Sequence, residues 1–198
     1  MQYQEKKFNL PTLEGISKES VEQHLMLYAG YVKNFNAMSA MLGEYAKDAE
    51  KNTHALSELI RRRSFEWGGM RLHELYFAQF EGGATPLVEG GAFAKQIEAE
   101  YHKFEYFLGM FRHVAMMRGP GWALLYYDKE TKQFLTGFSG EQHQGHFVTL
   151  PIILALDVWE HAFLLDYGAL GKAKYVEAFF KNLNWSLMEK RFSATATK

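Results

Sequence analysis

Apolar positions recur at three- and four-residue steps from Ser17 to about Met41, through Val21, Leu25, Tyr28, Val32 and Phe35, which predicts an amphipathic helix. Ser17-Lys-Glu-Ser20 offers capping side chains at its start. Two more helices are predicted over 54–63 and 65–80, and Glu81-Gly-Gly-Ala-Thr-Pro86 then breaks the pattern. From Ala92 to Met117 a further helix places Phe93, Ile97, Tyr101, Phe104, Leu108 and Phe111 along one face. Beyond Gly119-Pro-Gly121 the character changes. Trp122–Tyr127 and Phe134–Phe138, separated by a polar turn, predict an antiparallel hairpin. Pro151–Leu156 predicts a third, buried strand ending at Asp157, and helices return over 161–190 with an interruption at 168–171. Ser193–Lys198 reads as a loose tail. The expected class is α+β: a helical half, then a half containing a small antiparallel sheet.

Composition narrows the chemistry. The chain of 198 residues is 47% hydrophobic and 16% aromatic, enough for a sizeable core. A formal net charge of −1 gives no support for nucleic-acid binding, and Arg61-Arg62-Arg63 reads as a solvated helix end. The absence of cysteine excludes disulfides, thiolate zinc sites, iron–sulfur clusters and a cysteine nucleophile. Any metal must therefore use imidazole and carboxylate, ligands suited to iron, manganese or zinc. No apolar run approaches the ~20 residues that span a bilayer, so no membrane partner is expected. The start lacks the apolar segment of a secretory signal, and a cytoplasmic location is the expectation.

One stretch stands out. Asp157 and His161 interrupt the apolar run from Leu150 to Leu165. A carboxylate in such surroundings costs several kcal/mol unless a cation or strong donors compensate it, and the nearby imidazole points to a metal. His24 shares the apolar face of its helix with Val21, Leu25 and Tyr28; His73 does the same with Tyr76, Phe77 and Phe80. Three imidazoles and one carboxylate suit iron or manganese with a position left open. The blander alternatives are that Asp157 caps the following helix and that the histidines are core residues. A zinc hydrolase lacks its usual helix motif, because His73-Glu-Leu-Tyr-Phe77 has Phe where H-E-x-x-H needs its second ligand.

Asp157-Val-Trp-Glu-His-Ala162 resembles the D-x-W-E-H-A signature of the iron/manganese superoxide dismutases, and similarity extends along nearly the whole chain. Phe8-Asn-Leu-Pro11 is similar to the family's opening. Ile16–His24 and His73–Phe77 resemble the segments carrying its first two histidine ligands. Gly119-Pro-Gly-Trp-Ala123 and Asn184-Trp185 resemble its G-S-G-W-A region and C-terminal N-W pair. The resemblance implies an N-terminal helical hairpin over 1–84 and a C-terminal α/β part over 85–198. It implies one iron or manganese ion per subunit held by His24, His73, Asp157 and His161, and superoxide as substrate. It further implies Trp122 and Trp159 lining the pocket, and Glu160 bridging to the metal-bound histidine of a partner in a homodimer. A dismutase-like metal binder with weak or no turnover is the alternative.

Departures from the family pattern sharpen these expectations. Gly69 occupies a position where many members carry a glutamine that contacts the metal's bound solvent. That contact must then come from Glu141-Gln-His-Gln144, with His143 the choice and Gln142 or Gln144 the alternatives. Tyr31 follows His24 by seven residues rather than the family's eight. Seven residues close nearly two helical turns, so an unbulged α-helix places Tyr31 above His24. Leu164 replaces a common tyrosine, and Gly168–Lys174 lacks the family's R-P, so the substrate entrance is expected to be rebuilt.

Overall fold

The computed structural model describes residues 2–196. Helix α1 spans Lys18–Tyr45, and the Ser17 hydroxyl caps it by accepting from the Ser20 N–H at 3.1 Å. Satisfying an orphan donor of the first turn in this way contributes about 1 kcal/mol. Ser20, His24, Tyr28 and Val32 are its buried residues, a four-residue step that turns one narrow stripe inward. The helix is α-helical throughout, including the interval from His24 to Tyr31.

Helix α2, Thr53–Ala78, returns along α1. It is one helix where the sequence predicts two, over 54–63 and 65–80. Ser64 does not break it, because its hydroxyl bonds back to the Arg61 carbonyl at 2.8 Å and so stays compatible with the helix. The opposite correction applies to 92–117. There the chain forms α3, Ala92–Tyr101, and α4, Phe104–Ala115, with His102 at φ 63° turning the backbone between them. Phe93, Ile97, Phe107 and Phe111 remain buried, so the apolar face persists across the break.

Strands β1 (Gly121–Asp128), β2 (Gln133–Gly140) and β3 (Ile152–Asp157) form an antiparallel sheet in the order β2-β1-β3. β1 pairs on both edges and is buried along nearly its whole length, which explains its unalternating apolar sequence. Asp157 lies opposite Trp122 in the β1–β3 ladder. After the 3-10 turn Glu160–Ala162 come α5 (Leu164–Tyr167), α6 (Lys172–Asn182) and α7 (Trp185–Ala196). The break expected at 168–171 is present. The loose tail is not: 193–196 continue α7, while 197–198 lie outside the described residues. Phe192 anchors that last turn, packing edge-on against Tyr127 at 4.8 Å and tilted against Phe134 at 5.2 Å.

A single amide ties the helical half to the sheet. Gln79, fully buried just past the end of α2, accepts from the Ala155 N–H at 2.7 Å and donates to the Ala155 carbonyl at 2.7 Å. It thus acts as a short extra strand on the free edge of β3. Arg191 of α7 adds a bond to the Ile153 carbonyl at 2.8 Å. These contacts fix β3, and therefore Asp157, relative to His73 six residues before Gln79. No helix among the described residues is long and apolar enough to cross a membrane.

Candidate metal centre

Asp157, at the end of β3, is fully buried and meets imidazoles from α1, α2 and the turn after β3. Its Oδ2 lies 3.2 Å from His24 Nε2, 3.5 Å from His73 Nε2 and 3.1 Å from His161 Nε2. Four potential ligand atoms, one from each residue, lie within 4.8 Å of one another. The other carboxylate oxygen accepts from the Trp159 backbone N–H at 2.8 Å, which fixes the carboxylate's orientation. This is a bond to the backbone two residues on, not a helix cap: the following 3-10 turn begins at Glu160 and has no side-chain cap.

Electrostatics prepare the group for a cation. Burial alone would push the Asp157 carboxyl up, but the positive charge and hydrogen bond of His161, with the bond from His24, hold it well below the usual carboxylate range. Burial lowers His24 despite its bond to Asp157. Burial and the neighbouring His24 lower His73 to about 3, so it is neutral at physiological pH. For His161, burial acts downward, and the Asp157 carboxylate outweighs it to raise the group. His73 Nδ1 donates to the Gly69 carbonyl at 2.6 Å, leaving Nε2 with a bare lone pair. That Nε2 is buried and has no hydrogen-bond partner among the described residues. A lone pair directed at a carboxylate oxygen is unfavourable unless a cation lies between them. The donor set, three imidazoles and one carboxylate, fits iron or manganese.

Beside the cluster lies a polar chain. Trp122, fully buried with its ring 5.1 Å from that of His73, donates its indole N–H to Gln142 Oε1 at 2.8 Å. That bond fixes the amide's orientation, and Gln142 Nε2 donates to the Tyr31 hydroxyl at 3.0 Å. The Tyr31 ring sits 5.0 Å from the His73 ring, so an unbroken α1 does deliver it to the cluster. Burial, then the Asp157 charge, pushes its hydroxyl well above the ordinary phenol range, so it keeps its proton. Two glycines make the room. A Cβ on Gly68 would collide with the Gln142 backbone, and one on Gly69 with the Tyr31 ring.

Of the three loop residues considered, Gln142 is the one bonded to Tyr31. Gln142, not His143, reaches Tyr31, because the indole N–H needs an acceptor and the phenol a donor, and one amide supplies both. His143 instead packs edge-on against Phe65 at 5.7 Å, with Nδ1 3.8 Å from a Glu141 carboxylate oxygen. Gln144 turns back along the loop, its carbonyl accepting from the Ser139 hydroxyl at 2.8 Å. Trp159 stacks on His161 at 5.9 Å, and Glu160 is solvent-exposed beside it. His54, His102 and His113 are exposed and distant from this chemistry, whereas His146 bonds to Tyr126 and Ser139. Sequence reasoning missed Gln79, which carries no motif; only its polarity next to the apolar Phe80 hinted at a buried partner.

Comparison with known proteins points to one family. Residues 89–191 match the family model described as iron/manganese superoxide dismutases, C-terminal domain. The chain is 33% identical to a superoxide dismutase [Fe] of Saccharolobus solfataricus, covering 100% of this chain and 99% of that protein. It is also 33% identical to a superoxide dismutase [Fe] of Methanothermobacter thermautotrophicus over 89% of this chain and 86% of the relative. A superoxide dismutase [Mn] of Mycobacterium lepraemurium is 32% identical over 88% and 83%.

Proposed function

Because the chain belongs to the iron/manganese superoxide dismutases, we propose that His24, His73, Asp157 and His161 are the residues that hold its iron or manganese ion. The enzyme converts two superoxide ions and two protons into dioxygen and hydrogen peroxide. The observation carrying the residue assignment is the convergence of four ligand atoms on one spot, with the buried His73 Nε2 otherwise unpartnered. The chemistry supplied by bound iron or manganese is a one-electron couple between trivalent and divalent states.

The chain's own groups do the rest. Asp157 contributes the single negative charge of the ligand set, and the aromatic wall of Tyr76, Phe77 and Trp122 keeps bulk water from the inner histidines. Tyr31 holds a proton at its hydroxyl and Gln142 orients that hydroxyl, so both are placed to supply protons and hydrogen bonds as peroxide forms. Trp122 and Trp159 line the pocket. Glu160, exposed next to His161, is suited to bridge to a second copy, and a cytoplasmic homodimer completes the reading. Size-exclusion chromatography and cell fractionation test those two points.

Metal-loaded protein is expected to dismute superoxide, and His161→Ala to lose both retained metal and activity. Wild-type protein that binds iron or manganese stoichiometrically yet leaves superoxide unchanged would contradict the assignment.

A further inference from the structure

We propose that Arg62 is the cation that draws anionic superoxide toward the metal centre, and that Glu66 restrains it. The inference rests on the dismutase reading above. Three of the four ligands are closed off, with side-chain exposures of 4% for His24 and 0% for His73 and Asp157, whereas His161 is 22% exposed. The cluster therefore opens on the His161 side. Trp159 stacks on His161 there, and the Phe65 ring lies 6.5 Å from Trp159, 5.9 Å from Tyr31 and 5.7 Å from His143. Phe65 is thus the floor of the mouth. The Arg62 guanidinium lies 3.5 Å above the centroid of that ring, with its side chain 39% exposed. The outward order is Tyr31 and Trp159, then Phe65, then Arg62, then water.

The other arginines nearby are committed elsewhere. Arg61 makes two bonds to Glu58, at 2.8 and 2.7 Å, and Arg63 faces Phe35. Arg71 bonds Glu74 at 2.7 Å and lies over Trp67. Among the described residues no hydrogen bond fixes the Arg62 guanidinium. Its nearest carboxylate, Glu66, stands 3.9 Å away, buried, with Oε2 unpartnered. The Arg62 charge also reaches the Tyr31 hydroxyl, where it works against burial. The run Arg61-Arg62-Arg63 thus has one member over the mouth and two turned to other partners.

Physics sets the size of the effect. One unit charge about 7 Å from the approach path, in water-like surroundings, changes the local density of a monovalent anion about threefold. Salt removes the effect once the Debye length falls to a few ångströms. Glu66, where ionised, subtracts from the attraction.

The test measures kcat/KM for superoxide by pulse radiolysis on metal-loaded protein, from about 10 mM to about 0.5 M salt. Arg62→Gln, Glu66→Gln and Arg61→Gln are compared at matched metal content and visible absorption. Arg62→Gln should lower the low-salt value about threefold and flatten the salt dependence, while Glu66→Gln should raise it and steepen the slope. Arg61→Gln should leave both unchanged. Azide affinity, read from the absorption change on binding, should follow the same order, and it reports anion attraction independently of turnover. If wild type proves inactive, azide binding still decides the steering claim while the dismutase reading alone fails. An Arg62→Gln protein keeping the wild-type salt slope and azide affinity overturns the proposal, whatever its absolute rate.

Discussion

The two sides of the metal centre are built by different means. On the closed side, His24 and His73 sit among Tyr76, Phe77 and Trp122, and apart from His73 Nε2, which faces the ligand cluster, the polar groups there are paired: the Tyr76 hydroxyl with that of Tyr175 at 3.0 Å, the Trp122 indole with Gln142 at 2.8 Å. On the open side, Glu66 Oε2, His143 Nδ1 and Trp159 Nε1 are buried without a hydrogen-bond partner among the described residues. Each such group costs about 1–3 kcal/mol. On the closed side folding leaves only the His73 lone pair among these groups to be met by a cation. The open side keeps polar atoms unsatisfied, which suits a surface finished by substrate, water or a second copy of the chain.

Substitutions on the two sides should therefore have different consequences. Gln142→Ala removes the amide joining Trp122 to Tyr31 and is expected to lower superoxide turnover about 10- to 100-fold at full metal occupancy. His143→Ala, one residue away on the open side, should leave turnover close to the wild-type value. A larger loss for His143→Ala would restore the histidine as the working loop side chain. Gly69→Ala drives a methyl into the Tyr31 ring and should cost about 1–3 kcal/mol in denaturant unfolding. Gly30→Ala, whose added Cβ meets nothing within 4 Å, should be neutral or stabilising by up to about 1 kcal/mol.

Acid should affect the closed side. His73, lowered to about 3 from 6.5, stays neutral in the fold while an unfolded chain takes up its proton. Its contribution to stability is therefore present above pH 6.5 and is lost as pH falls toward about 3. His24 shifts in the same direction, whereas the raised His161 acts the opposite way. Metal-free protein should accordingly show a falling Tm below pH 6.5, and His73→Gln should blunt that fall; a Tm that holds level would argue against a buried, neutral pair of inner histidines. The smallest effect concerns Trp159. Trp159→Phe deletes an unpaired indole N–H and keeps the stacked ring on His161, so the isolated subunit should change by under about 1 kcal/mol. A greater loss confined to the oligomer would reveal a partner acceptor for that N–H.

The parts legible in sequence were those governed by local periodicity or an unusual burial demand. The four-residue stripe of α1, the hairpin of β1 and β2, and the carboxylate stranded in an apolar run each point to their place without reference to the rest of the fold. What stayed hidden depended on distant partners. Ser64 gave no sign that 53–78 would remain one helix, because the decision lies in a side-chain bond back to Arg61 and in packing against α1. His102 broke an apolar face that runs straight through it. The tail stayed helical to Ala196 through Phe192, whose aromatic partners lie on α3, β1 and β2. In the loop, Gln142 and His143 are equally polar neighbours, and only the indole of Trp122 distinguishes them.

Crystals of protein loaded with manganese or iron, measured at the metal's absorption edge, would locate the ion among the four side chains. One anomalous peak per subunit is expected, within bonding distance of His24 Nε2, His73 Nε2, an Asp157 carboxylate oxygen and His161 Nε2. A peak elsewhere, or full occupancy with His73 left uncoordinated, would contradict the ligand assignment.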